Sequence, residues 1–199
     1  MIGSEQHFCE TIGPARAKVL LDCLRTGGEQ AREITTSSGF IEGRTEPTVA
    51  FDLITGELDG RFDALPGVRK ARSNGLILWI VDETYAIRSK KLSGGYMTTN
   101  HISGQQAVID AQLSLDGMPP LVYVTAGARY SRRTGLIDEY AVVKHVTLAK
   151  KRVVEWVVDL DALSAGGAIP SIPTLPIAPA TAAAALRSKR GVDRGIING

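Results

Sequence analysis

Apolar residues recur at helical spacings of three and four as far as Phe62, and from Leu65 they come as short β-branched and aromatic runs broken by turn residues. That change of period places helices first and a sheet after them, an α+β order rather than an alternating one. Pro14 stands where a first helical residue tolerates its missing N–H, and Ala17, Leu20, Leu21 and Leu24 follow on one face. A helix is expected there, ending at Gly27-Gly28. Residues 29–43 have no clear period and read as a loop or a frayed extension. Pro47 opens a second helical stripe, Ala50 or Phe51, Ile54, Leu58 and Phe62, with Gly56 against it. A hairpin is the alternative for that stretch.

Asn74-Gly75 is a two-residue turn signal between strands, and Leu76 to Val81 is an apolar run bounded by Asp82-Glu83. In the next strand Tyr85, Ile87, Ser89 and Lys91 alternate with Ala86, Arg88, Lys90 and Leu92. This predicts a partly exposed strand carrying cations, not a buried central one, ended by Gly94-Gly95. Ser103 and Gln106 form a capping-box pair for a short helix through Leu115, closed by Gly117, Pro119 and Pro120. Leu121 to Tyr130 and Leu136 to Val146 read as a hairpin whose tip holds Arg132 and Arg133, and Val153 to Leu160 is a last strand containing Trp156. The expected fold is α+β: N-terminal helices packed on an antiparallel sheet with one crossing helix. The globular domain spans residues 1–163, and residues 164–199 form a proline- and alanine-rich tail with a basic end.

In that tail Pro170, Pro173, Pro176 and Pro179 recur every third residue, so in a polyproline II helix all four line one edge. One reading is a stiff linker, the other a docking segment for an aromatic groove. Residues 162–186 carry no charge, but the prolines remove backbone donors and bar a continuous membrane-spanning helix. Adsorption to a membrane surface stays open, aided by Arg187, Lys189, Arg190 and Arg194 near the end.

The 199 residues, 44% of them apolar, suffice for one core and an appendage. A formal charge of +2 is too small to argue for nucleic-acid binding globally, so any such argument rests on local clustering. The start lacks a basic segment followed by an apolar run, and a cytoplasmic, reducing setting is expected. Cys9 and Cys23, the only cysteines, are then free thiols. His7 with these two would supply three zinc ligands, but no paired CxxC or HxxxH spacing supports a site, and neither a metal nor a cofactor is expected. No GxGxxG, GxxxxGK[ST], GxSxG or HExxH pattern occurs, which removes the commonest nucleotide-binding, hydrolase and zinc-protease readings.

The candidate site is the polar middle of the chain: Arg88, Lys90, Lys91, Tyr96, Asn100, His101, Gln105 and Gln106, with Arg132 and Arg133 on the hairpin tip. Such residues suit a polyanion or a protein partner. His101, Tyr96, Arg88, Lys90 and Lys91 are also the types a metal-free ribonuclease uses as base, acid and phosphorane-stabilising cation. Lys90, Lys91, Arg129, Arg132 and Arg133 would contact phosphates, with Tyr85, Tyr96 or Tyr130 as stacking faces. A solvated charged surface is the plainer alternative. His145 lies in an apolar strand and reads as structural.

The segment AIRSKKL, the Asn100 that follows it, Gln105-Gln106, Leu115-Asp116-Gly117-Met118-Pro119 and Val124-Thr125-Ala126-Gly127 together resemble a bacterial and phage family of proteins of about this length and unassigned function. Its pattern runs RxKKL, N, QQ, LPG and a Gly-aromatic strand start; here Gly127-Ala128 stands for Gly-Tyr and Asp116-Gly117 for Pro-Gly. The resemblance implies a toxin-like effector of a two-gene toxin–antitoxin or phage-defence module, neutralised by a regulator with helix-turn-helix and zinc-peptidase-like parts. It would make Arg88, Lys90, Lys91, Asn100, Gln105 and Gln106 functional. The partners it implies are a cognate antitoxin and, on the residue types alone, nucleic acid or a membrane surface.

Overall fold

The computed structural model describes residues 1–38, 45–73, 75–98, 120–130, 137–148 and 151–167. The expected capping-box helix, Asn100, His101, Gln105, Gln106, the Arg132-Arg133 tip and nearly all of the tail lie outside the described residues. Helix α1, Glu5–Ser37, starts on the Ser4 side chain, which accepts the His7 N–H. It breaks at Gly13 (φ 62°, ψ 166°) and restarts at Pro14 as the sequence predicts. Its core face is Phe8, Ile12, Ala17, Leu20, Leu21, Leu24 and Ala31.

The helix does not end at Gly27-Gly28 as expected. It runs on past Gly28 to Ser37, because the glycines serve contact rather than termination. Helix α2, Thr45–Glu57, crosses α1 so closely that a Cβ on Gly27 would sit 2.6 Å from the backbone nitrogen of Ile54. Of the two readings of the second stripe, the helix is the observed one. Ala50, Leu58 and Phe62 face the core, and α2 passes into a π-helical turn, Leu58–Phe62, closed by the Asp63 N–H on the Leu58 carbonyl at 2.9 Å.

Six strands form one sheet in sequence order: β1 Val68–Ser73, β2 Leu76–Val81, β3 Tyr85–Ser89, β4 Val122–Tyr130, β5 Ile137–Leu148 and β6 Lys151–Asp159. Helix α3, Leu160–Ser164, capped by Asp159, returns onto α1. The fold class is α+β as expected, but the sheet is mixed: β3 and β4 run parallel, while the other four neighbouring pairs are antiparallel. A parallel pair needs a connection that carries the chain back along the sheet, and residues 90–121 are that connection. The β2–β3 turn holds Asp82 and Glu83 at positive φ (46° and 48°), tied by Arg16 to Asp82 and by Arg69 to Glu83.

One face of the sheet carries Trp79, Val81, Tyr85, Ile87, Val124, Val142, Trp156 and Val158 against α1, the π-turn and α3, and this is the main core. The other face is buried too, over Leu78, Ile80, Ala86 and Tyr123 and then Leu92, Ala141, Val143 and Val157. Strand β3 is therefore buried along its whole length, which corrects the expectation of a partly exposed cationic strand. The alternation along β3 marks two faces, and both are covered.

Candidate functional site

The four described residues of the predicted patch fall in three places. Arg88 is inside the protein, 4% exposed, on the same side of β3 as Ala86, and its Nε donates to Thr125 Oγ1 across the parallel pair at 3.2 Å. Near it on that sheet face lies a second buried polar group that the sequence reading set aside as structural: His145, 3% exposed, whose Nε2–H donates to the Tyr96 carbonyl at 3.0 Å. Burial, reinforced by the positive charges of Arg152 and Arg88, holds the imidazole at a pKa of about 3. Arg152 in turn donates to Thr98.

Tyr96 occupies a tight turn beyond β3. Ser93 N–H and Oγ–H both donate to the Met97 carbonyl at 2.7 Å, and Tyr96 itself sits at φ 59°. The Arg129 guanidinium lies 5.1 Å from the Tyr96 ring centre and is paired with Glu139 at 2.7 Å. Burial, and then the Glu139 carboxylate, pushes the Tyr96 phenol up to about 12. Acid–base catalysis near neutral pH works best with groups titrating near 7. Neither Tyr96 nor His145 is tuned that way, and Cys9 and Cys23, free thiols as expected, are pushed by burial up to about 12 and about 11. Among the described residues no three His, Cys, Asp or Glu side chains converge on a metal position.

Lys90 and Lys91 lie apart from Arg88, at a cleft beside α2. Strand β3 pairs with β2 only over Tyr85–Ile87, yet it keeps its bonds to β4 past its own end: Lys90 N–H to Ala126 O and Leu92 N–H to Ala128 O, both 3.0 Å. Gly127 makes this possible, since a Cβ there would stand 1.8 Å from the Lys90 carbonyl oxygen. Where this extension passes α2 there is a cleft of about 50 Å³, lined by Ala50, Phe51, Ile54, Ala128 and Tyr130, with Lys90 and Lys91 on its rim. At roughly 10–15 Å³ for each water molecule held, that is room for a few waters or one side chain, not for a nucleotide. Lys91 Nζ lies 3.8 Å from the centre of the Tyr130 ring, and Phe51 is 42% exposed beside it.

The sequence reading named Lys90, Lys91 and Tyr130 but missed Phe51 as a surface group, because helical spacing admitted either Ala50 or Phe51 to the core. It also missed Arg152, whereas His145, read as structural, is a buried strand residue bonded to the Tyr96 carbonyl; the sequence carries no signal that two arginines stand beside it. No helix among the described residues is long and apolar enough to cross a membrane. Comparison with protein-family models, curated proteins and solved structures gave no significant match.

Proposed function

We propose that the protein is a small toxin-like effector of a two-gene module that acts and is controlled through protein contact, with a cognate regulator covering the surface at Lys90 and Lys91. The observation that supports this reading is the cleft beside α2: two lysines on the rim, an exposed phenylalanine and a floor of Ala50, Ile54 and Ala128. Apolar floors with aromatic anchors and a polar rim are how protein surfaces recognise one another. The small size of the cleft favours contact over turnover of a nucleotide substrate. Arg88, buried, supports the scaffold rather than the contact.

Induction of the full chain in growing cells is the direct test, alongside a version ending at Ser164, with dye entry and RNA integrity followed. Growth arrest by both forms, with intact RNA and no dye entry, is expected of a protein-directed effector. Degraded RNA would replace the reading with a nuclease, and dye entry lost on truncation would replace it with membrane action by the tail. No arrest from either form would remove the effector reading.

A further inference from the structure

The cleft that supports the functional reading also has a definite chemistry. Its described lining contains two cations, Lys90 and Lys91, and no carboxylate. The Lys91 ammonium rests on the Tyr130 ring, which holds a long, exposed side chain at the rim of the cleft. The floor is aliphatic, and the enclosed space of about 50 Å³ fits one apolar side chain. A nucleic acid would ask for something different: flat stacking faces and a longer basic track. Here the Tyr130 face is already occupied by Lys91.

We propose that this cleft binds a short acidic segment of a partner protein, seating one aliphatic side chain between Phe51, Ile54 and Ala128 while a flanking carboxylate meets Lys91. The inference rests on the effector–regulator reading only in taking the partner to be a protein. It adds the chemistry of the segment that docks. The carboxylate supplies steering and salt dependence, and the buried side chain supplies discrimination.

The test uses the full chain and short fluorescein-labelled glutamate-rich peptides, one with a single central leucine, one with serine in its place, and a labelled oligothymidylate, each followed by fluorescence anisotropy. The leucine peptide is expected to bind about tenfold more tightly than the serine peptide, as burial of one aliphatic side chain implies. Its binding is expected to weaken as salt is raised and to fall by at least about tenfold in Lys91→Glu and in Phe51→Ser, both at exposed positions and each checked for native circular dichroism before binding is scored. Equal binding of the two peptides, or binding indifferent to both substitutions, would overturn the proposal. Preferential binding of the oligothymidylate through the same residues would overturn it in favour of nucleic acid. Growth arrest is scored separately, so arrest without peptide binding sinks only the docking chemistry, and peptide binding without arrest sinks only the effector reading.

Discussion

His145 donates its Nε2–H to the Tyr96 carbonyl at 3.0 Å, so a buried strand residue anchors the turn that follows β3. The bond fixes the imidazole as a neutral donor, and its surroundings, burial first and then Arg152, keep it so down to about pH 3. The usual value is 6.5, so between 6.5 and about 3 the unfolded chain takes up a proton that the folded one refuses. The stability contributed by neutral His145 is complete above pH 6.5 and is lost as the pH falls through that window. By about pH 4.5 the loss should reach about 2.7 kcal/mol. Carboxylates titrate there too, so the measurement is the difference between the native chain and His145→Gln, whose amide can still donate to Tyr96. Chemical denaturation should show the gap between the two shifting in favour of the variant on acidification; a gap independent of pH would place the imidazole in solvent.

Gly127 lies under the Lys90 carbonyl with no room for a methyl group. Gly127→Ala must push the β3 extension off β4 and should cost about 2 kcal/mol or more in urea unfolding, with peptide binding at Lys91 lost as well. Gly56, exposed on α2 with open space around it, is the contrast: Gly56→Ala should stabilise by about 0.5–1 kcal/mol. Equal effects at the two positions would contradict the close approach.

How much of this could be read from the chain divides along physical lines. The helical stripes that end in Leu24 and Phe62, and the β-branched runs of β2, β4, β5 and β6, are local patterns, and an element formed over each of them, although the first helix extends beyond its stripe at both ends. What sequence could not supply was the set of neighbours. Gly27-Gly28 looks like a helix end until a second helix is placed against it, and Arg88 looks solvent-facing until the far side of the sheet is seen to be covered. The parallel β3–β4 pair follows from the direction of return of a long connection, which strand composition does not encode. The site divided the same way: Lys90 and Lys91 were found by their charge, whereas Phe51 needed the crossing of α2 to settle which of two adjacent residues turned outward.

Trp79 and Trp156 are both buried in the main core, yet only one uses its indole N–H. Trp156 Nε1 donates to the Gly3 carbonyl at 3.0 Å, while the Trp79 N–H has no partner among the described residues. Replacing Trp156 with phenylalanine removes one of two donors to the Gly3 carbonyl, which keeps Lys144 Nζ at 3.0 Å; replacing Trp79 removes a group that is already a cost. Trp156→Phe is therefore expected to destabilise by about 0.5–1.5 kcal/mol more than Trp79→Phe, the net value of one hydrogen bond. Thermal unfolding of the two variants decides it, and a larger loss for Trp79→Phe would mean its N–H is satisfied.

Arg88 and Lys91, three residues apart, make the sharpest pair. Lys91 is exposed, and its contact with Tyr130 contributes on the order of 0.5–1 kcal/mol. Lys91→Ala should leave stability within about 1 kcal/mol of the native chain while weakening binding of the leucine peptide. Arg88 is 4% exposed and bonded to Thr125, so Arg88→Ala leaves a hole on a buried sheet face and an unpaired hydroxyl, and should cost about 2–4 kcal/mol. Any loss of peptide binding in Arg88→Ala should appear only near its unfolding transition and vanish in milder conditions where it is folded. Unchanged stability combined with lost binding in folded Arg88→Ala would return Arg88 to the surface and reunite it with the lysines in one site.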